Sequence, residues 1–226
     1  MSASGSAGAL IAYGSRAIPF VAGAYGYNAM EDKAIEVNRQ AMTMLQATGG
    51  DESRSRDLIA GLEKTASSLS MKVSDVFPAF TQLYSGARSI GIEKTIPQGY
   101  ENFLKYATVS GADTENIKSA SRALFQIMSK GQFMAEEVKG QMAEHNLPGV
   151  IQALADVAAG GSTKDLADKM KKGEVDAKTY MPLFLARLGE LAKPGMEKFE
   201  GSLVQASGNV GLKFDLLSRK VRRSIS

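Results

Sequence analysis

The sequence predicts an all-α protein, and three observations carry that reading. Apolar residues recur at helical spacing almost without interruption from Glu31 onward. Asp, Ser and Thr stand before these runs and Gly stands after them, which is the chemistry by which helices begin and end. No stretch alternates apolar and polar residues at the length a strand needs, and no Asn-Gly hairpin turn occurs. At least about seven helices and no sheet are expected, arranged as an elongated multi-helix domain.

Composition narrows the chemistry. The chain has 226 residues, 44% apolar and 23% charged, enough to bury a core in one large or two small domains. It contains no cysteine, no tryptophan and a single histidine, His145. Disulfides, thiolate nucleophiles and Cys/His zinc clusters are thereby excluded, and no metal or cofactor is expected. A net charge of +3 is too small to argue for nucleic acid, which normally requires a clustered basic face.

Met1 to Met30 carries one charge, Arg16, and is rich in Gly, Ala and Ser. Arg16 and Pro19 fall inside its most apolar window, and Gly5, Gly8, Gly14, Gly23 and Gly26 weaken an isolated helix. No basic segment precedes the apolar run, so it does not read as a secretory signal. Two readings fit it: a helix ordered only by close packing against neighbours, and a segment that inserts in a host membrane.

The elements then follow in order. A helix is expected over about Asn28 to Gln46, ended by Thr48-Gly49-Gly50, and another from Asp51 with Leu58, Ile59, Leu62 and Ala66 inward. Ser74 is the expected cap of the next, which turns Val76, Phe77, Phe80, Leu83, Tyr84 and Ala87 inward, tolerates Pro78 at the edge of its first turn and closes at Gly91. Ile96-Pro97 opens a helix carrying Tyr100, Phe103, Leu104 and Ala107, and Asp113 or Thr114 caps the one after it.

That helix leads into the stretch around which the chain is organised, Gln126 to Gly149. Ile117, Ala120, Ala123, Leu124, Ile127 and Met128 form a stripe that stops at Lys130-Gly131, where a left-handed glycine is expected. A short second helix is expected from Met134 to the Leu147-Pro148-Gly149 break, with Glu136 and Glu137 in its first turn at the positive end of the dipole. On α-helical spacing Met134, Val138 and Met142 share its apolar face, Glu137 and Gln141 flank it, and Glu136, Lys139 and Ala143 point away. Gly149, like Gly131, is expected to hold a helix-terminating turn.

Beyond it come Val150 to Ala159, a Gly160-Gly161 break, a Ser162 or Thr163 cap for Leu166 to Met170, a stop at Lys172-Gly173 and a start at Asp176. Two heptad-like seams follow: Met181, Phe184, Leu188 and Leu191, then Val210, Phe214, Leu217 and Val221. Pro194-Gly195 after Lys193 reads as the end of the main domain, so the expected parts are 1–30, 31–194 and 195–226. Arg219-Lys220-Val221-Arg222-Arg223 complements a helix C-terminus, and transient contact with DNA is the sharper alternative.

Catalysis finds no foothold. Glu136, Glu137 and Glu144 lie near His145 in sequence, but exposed charges on one short helix account for them, and the glycines form no phosphate cradle. The chain reads as not an enzyme.

Ser129-Lys130-Gly131, Ala135 to Gln141 including Glu136, Glu137 and Gly140, and Pro148-Gly149 resemble the signature of the tape-measure domain of tailed-phage tails. Ala41 to Ser70, Phe80 to Gly91 and Asp165 to Val175 resemble further blocks of that family in the same order, and ordered blocks are more specific than one short motif. Val138 and Met142 stand where the family usually has leucine. The resemblance implies a helical structural protein of the virion, made in the host cytoplasm, in the tail tube lumen or at the tip, that templates tube assembly and length and leaves on DNA ejection. It implies contacts with tail tube, tail tip and tail assembly chaperone proteins. The Val210–Val221 seam is too short to be stable as a single helix and is expected to join copies as a homo-oligomer, and the threefold parts of phage tail tips, which the resemblance implies, favour a trimer. The alternative is a membrane-active protein that forms a DNA-ejection channel. Fully helical and extended, the chain would reach only about 340 Å, enough to rule a short tail.

Overall fold

The computed structural model describes residues 24–144 and 147–199, with side chains from Ile35 onward. Among the described residues the fold is all-α, with no strand. The α-helices are α1 Ala24–Ala47, α2 Glu52–Ser68, α3 Val73–Ile90, α4 Ile96–Val109, α5 Thr114–Lys130, α6 Val150–Ala158, α7 Thr163–Lys171 and α8 Ala177–Phe199. A 3₁₀ turn, Glu93–Thr95, precedes α4, and a π-helix, Glu136–Ala143, lies between α5 and α6.

Local chemistry sets most of the ends. Asp51 accepts the backbone N–H of Arg54 at 2.9 Å and Asp113 that of Asn116 at 2.8 Å, so each satisfies a donor the first turn cannot. Ser162 does the same for Asp165 at 3.2 Å. Gly91 ends α3 at φ 78° and Gly131 ends α5 at φ 73°, in the left-handed region that a Cβ disfavours.

Four local expectations are corrected. Helix α1 starts at Ala24, ahead of Asn28, so it takes in the last residues of the Gly/Ala-rich segment. Helix α3 starts at Val73, with Lys72 rather than Ser74 at the cap position, and Pro78 therefore falls in its second turn. The break expected at Pro194-Gly195 is absent, because α8 runs on to Phe199. Pro194 is exposed, as is Glu190 four residues earlier, so the carbonyl that proline leaves without a donor lies on the wet side of the helix. The fourth member of the first seam, Leu191, is 39% exposed, whereas Met181, Phe184 and Leu188 are buried against their own chain together with Leu185 and Ala192.

The core is built on α3, α4, α5 and α8. Tyr100 of α4 stacks on Phe103 at 5.7 Å and meets Phe80 of α3 at 5.5 Å, and its hydroxyl lies 3.3 Å from both the Val76 carbonyl and the Ser121 hydroxyl of α5. Complete burial pushes the Tyr100 phenol far above its ordinary pKa, with the Ser121 hydrogen bond opposing. Helix α8 packs on α4 through glycines. A Cβ on Gly99 would stand 2.7 Å from Leu185, one on Gly189 2.5 Å from Asn102 and one on Gly195 2.7 Å from Val109. The partner numbers rise together, so the two helices run parallel and close.

Candidate functional site

The stretch singled out by the sequence is a clamped crossing between α5 and α6. Glycine at 131 turns the chain sharply after α5, and the next residues meet the loop before α8. Phe133 donates its N–H to the Val175 carbonyl and Ala177 donates to the Gly131 carbonyl, both at 2.8 Å. Gln132 and Asp176 thus form an isolated antiparallel bridge. The fully buried Phe133 ring meets Phe184 of α8 edge-on, with centroids 5.7 Å apart at 82°.

At the far end Tyr106 of α4 donates its hydroxyl to the Pro148 carbonyl. Gly149, expected to end a helix, instead opens α6 at φ 84°, directly beneath that hydroxyl, where a Cβ would lie 3.0 Å away. Burial raises the Tyr106 phenol pKa, opposed by a hydrogen bond with Ser110.

Between the clamps the backbone departs from the expected α-helix. Glu144 donates to the carbonyl of Lys139, five residues back, at 3.1 Å. The wider turn puts Glu137, Val138 and Met142 on one face, all 0% exposed. Met134 precedes the π-helix and is 37% exposed, and Ala143 is half-buried. The expected assignment of faces is corrected accordingly: Glu137 belongs to the inner face, not to a polar shoulder.

Glu137 Oε1 pairs with the Lys130 ammonium across the Gly131 turn, while Oε2 has no protein hydrogen-bond partner. Glu136 is 3.9 Å from the same ammonium and remains exposed. The hydrogen bond to Glu137 raises the Lys130 pKa above its ordinary value, with burial opposing and the charges of Glu137 and Glu136 reinforcing.

The fold brings together Lys130, Gly131 and Glu137, and places Pro148 and Gly149 at the other clamp. Ser129, Glu136, Pro148 and Gly149 are exposed, and Gly140 and Gln141 are half-buried. Gly140 has open space where a Cβ would stand, so packing does not demand glycine there. Glu144 is exposed, and His145 lies outside the described residues, as do Val210, Phe214, Leu217, Val221 and the basic run 219–223. Among the described residues no cluster of His, Cys, Asp or Glu is arranged to hold a metal. No helix among them is long and apolar enough to cross a membrane.

Sequence reading missed Tyr106, Phe133 and Val175 as the clamp. Tyr106 carries one usable signal, its place three residues after Phe103 on the inner face of α4, whereas Phe133 stands between the expected stop at Gly131 and the expected start at Met134.

Comparison with known proteins bears on the whole stretch. A family model described as "Tape measure protein" matches residues 34–223. A probable tape measure protein of Salmonella phage Felix O1 (isolate Felix O1-VT1) is 30% identical over 175 residues, covering 75% of this chain. The chain spans 23% of the length of that relative. No solved structure matches it. With the family model covering most of α1 and every later helix, the chain belongs to the tape measure protein family.

Proposed function

We propose that this chain is a structural, non-catalytic part of a phage tail that acts in the tape-measure role: it lies in the tail tube lumen or at the tip, templates tube assembly and length, and leaves on DNA ejection. The observation that carries the reading is the family match over residues 34–223. In this reading the folded residues 24–199 are a compact module of the ruler and contribute little to the length it measures. A compact bundle occupies far less than the 1.5 Å per residue of an extended helix, and the relative is several times longer than this chain. Its partners are the tail tube and tail tip proteins and the tail assembly chaperones. The motif Gln126 to Gly149 belongs to the domain that meets the tip, the Val210, Phe214, Leu217 and Val221 seam joins copies as a trimer, and contact with DNA is transient at most.

The test is tail length in the phage that encodes the chain. In-frame deletions in the gene that leave residues 24–199 intact should shorten tails in proportion to the residues removed, by up to about 1.5 Å each, as seen by electron microscopy. Unchanged length, or tails of normal length when the chain is absent, would overturn the reading.

A further inference from the structure

We propose that residues 136–143 are a two-register element: the Lys130–Glu137 ion pair selects the π register, and the alternative α register turns Glu137 out to solvent while Val138 and Met142 stay in the core. The first ground is the sequence pattern, which satisfies both forms. Val138 and Met142 are four residues apart and share a face in either register. Glu137 and Met142 are five apart, which the i→i+5 bonding of the π-helix brings together but an α-helix holds about 140° apart. Only the π register buries this carboxylate.

The second ground is the state of Glu137 itself. Its side chain is 0% exposed, one oxygen is held by Lys130 and the other has no protein partner. A buried carboxylate satisfied on one side only depends on its single counter-charge. The Lys130 side chain is 41% exposed, so the half of the pair that can be drawn away is the half that faces water. Once Lys130 is withdrawn, the burial of Glu137 and the rarer backbone form both favour change in the same direction.

The third ground is that the ends are held independently of the register. Phe133 to Val175 and Gly131 to Ala177 fix the entry by backbone bonds, and Tyr106 to Pro148 fixes the exit. Gly140, in mid-segment with open space around its missing Cβ, adds no side chain that would lock either form. A segment pinned outside and unlocked inside can change its pitch without unravelling its neighbours.

Carboxyl labelling of the full chain with a carbodiimide and glycine ethyl ester, read residue by residue by tandem mass spectrometry, tests this. In the wild type Glu137 should react at least about tenfold more slowly than exposed Glu136. In Lys130→Met, Glu137 should come to within about threefold of Glu136, while Met142 stays protected from peroxide oxidation and helicity by circular dichroism is retained. Lys130→Arg, which keeps the cation, should leave Glu137 protected. The proposal is overturned if Glu137 stays unreactive in a folded Lys130→Met chain. It is also overturned if Met142 becomes oxidised in step with Glu137, the mark of local unfolding, or if Lys130→Met loses the fold, since a second register would have absorbed the change.

Discussion

The Tyr106 hydroxyl donates to the Pro148 carbonyl forty-two residues further along the chain, so α4, the central helix of the core, holds the exit of the π-helical stretch. Tyr106→Phe removes that bond while keeping the ring. Because Pro148 is exposed, its carbonyl can turn to water, and the loss should be about 1 kcal/mol. A lower urea midpoint with an unchanged denaturant slope is the expected result.

Two glycine substitutions should move stability in opposite directions. On α2, Gly61 is exposed, has nothing within 4 Å of a missing Cβ and does not adopt positive φ, so Gly61→Ala should stabilise by about 0.4–1 kcal/mol. On α8, a Cβ at Gly195 would stand 2.7 Å from the branched Cβ of Val109, which cannot swing aside as a flexible side-chain tip would. Gly195→Ala should destabilise by about 1–3 kcal/mol. Thermal unfolding of the pair beside the wild type reads both signs.

Phe184 lies fully buried on α8 and meets Phe133 at the entry clamp. Phe184→Ala should cost about 3–5 kcal/mol through lost burial and the space left behind. Faster hydrogen exchange at the Phe133 and Ala177 amides, which carry the two bonds across that clamp, should accompany it.

The Asp156 carboxyl is held below its ordinary pKa of 3.8 by hydrogen bonds from Gln152 and Arg187 and by the Arg187 charge, against the effect of burial. A pKa depressed by folding means stability that is present above pH 3.8 and lost as pH falls through the lower folded value. The difference in Tm between wild type and Asp156→Asn should therefore hold steady from about pH 8 to pH 5 and shrink below about pH 4. A difference that persisted in strong acid would assign the effect of Asp156 to packing.

What the sequence by itself determined is the alphabet of helices and most of their ends. Asp51, Asp113 and Ser162 cap with their own side chains, and Gly91 and Gly131 end helices with their own backbones, so the deciding interactions span only a few residues and can be read in line. The inward stripe of α5, Ile117 to Met128, was legible for the same reason, because one helix face is a periodic pattern. Tertiary structure alone decided the rest. Pro194-Gly195 looked like a boundary, yet Gly195 is the point where α8 approaches Val109, eighty-six residues earlier, and its missing side chain serves that approach and not a turn. Leu191 continued a heptad in the text but faces water, because the core that α8 meets is α4, with its own placement of Gly99, Asn102 and Val109. The π register was illegible because α-helical spacing already satisfied Val138 and Met142. The burial of Glu137 goes with a lysine folded back onto it across a left-handed glycine, a contact that exists only once the chain has turned.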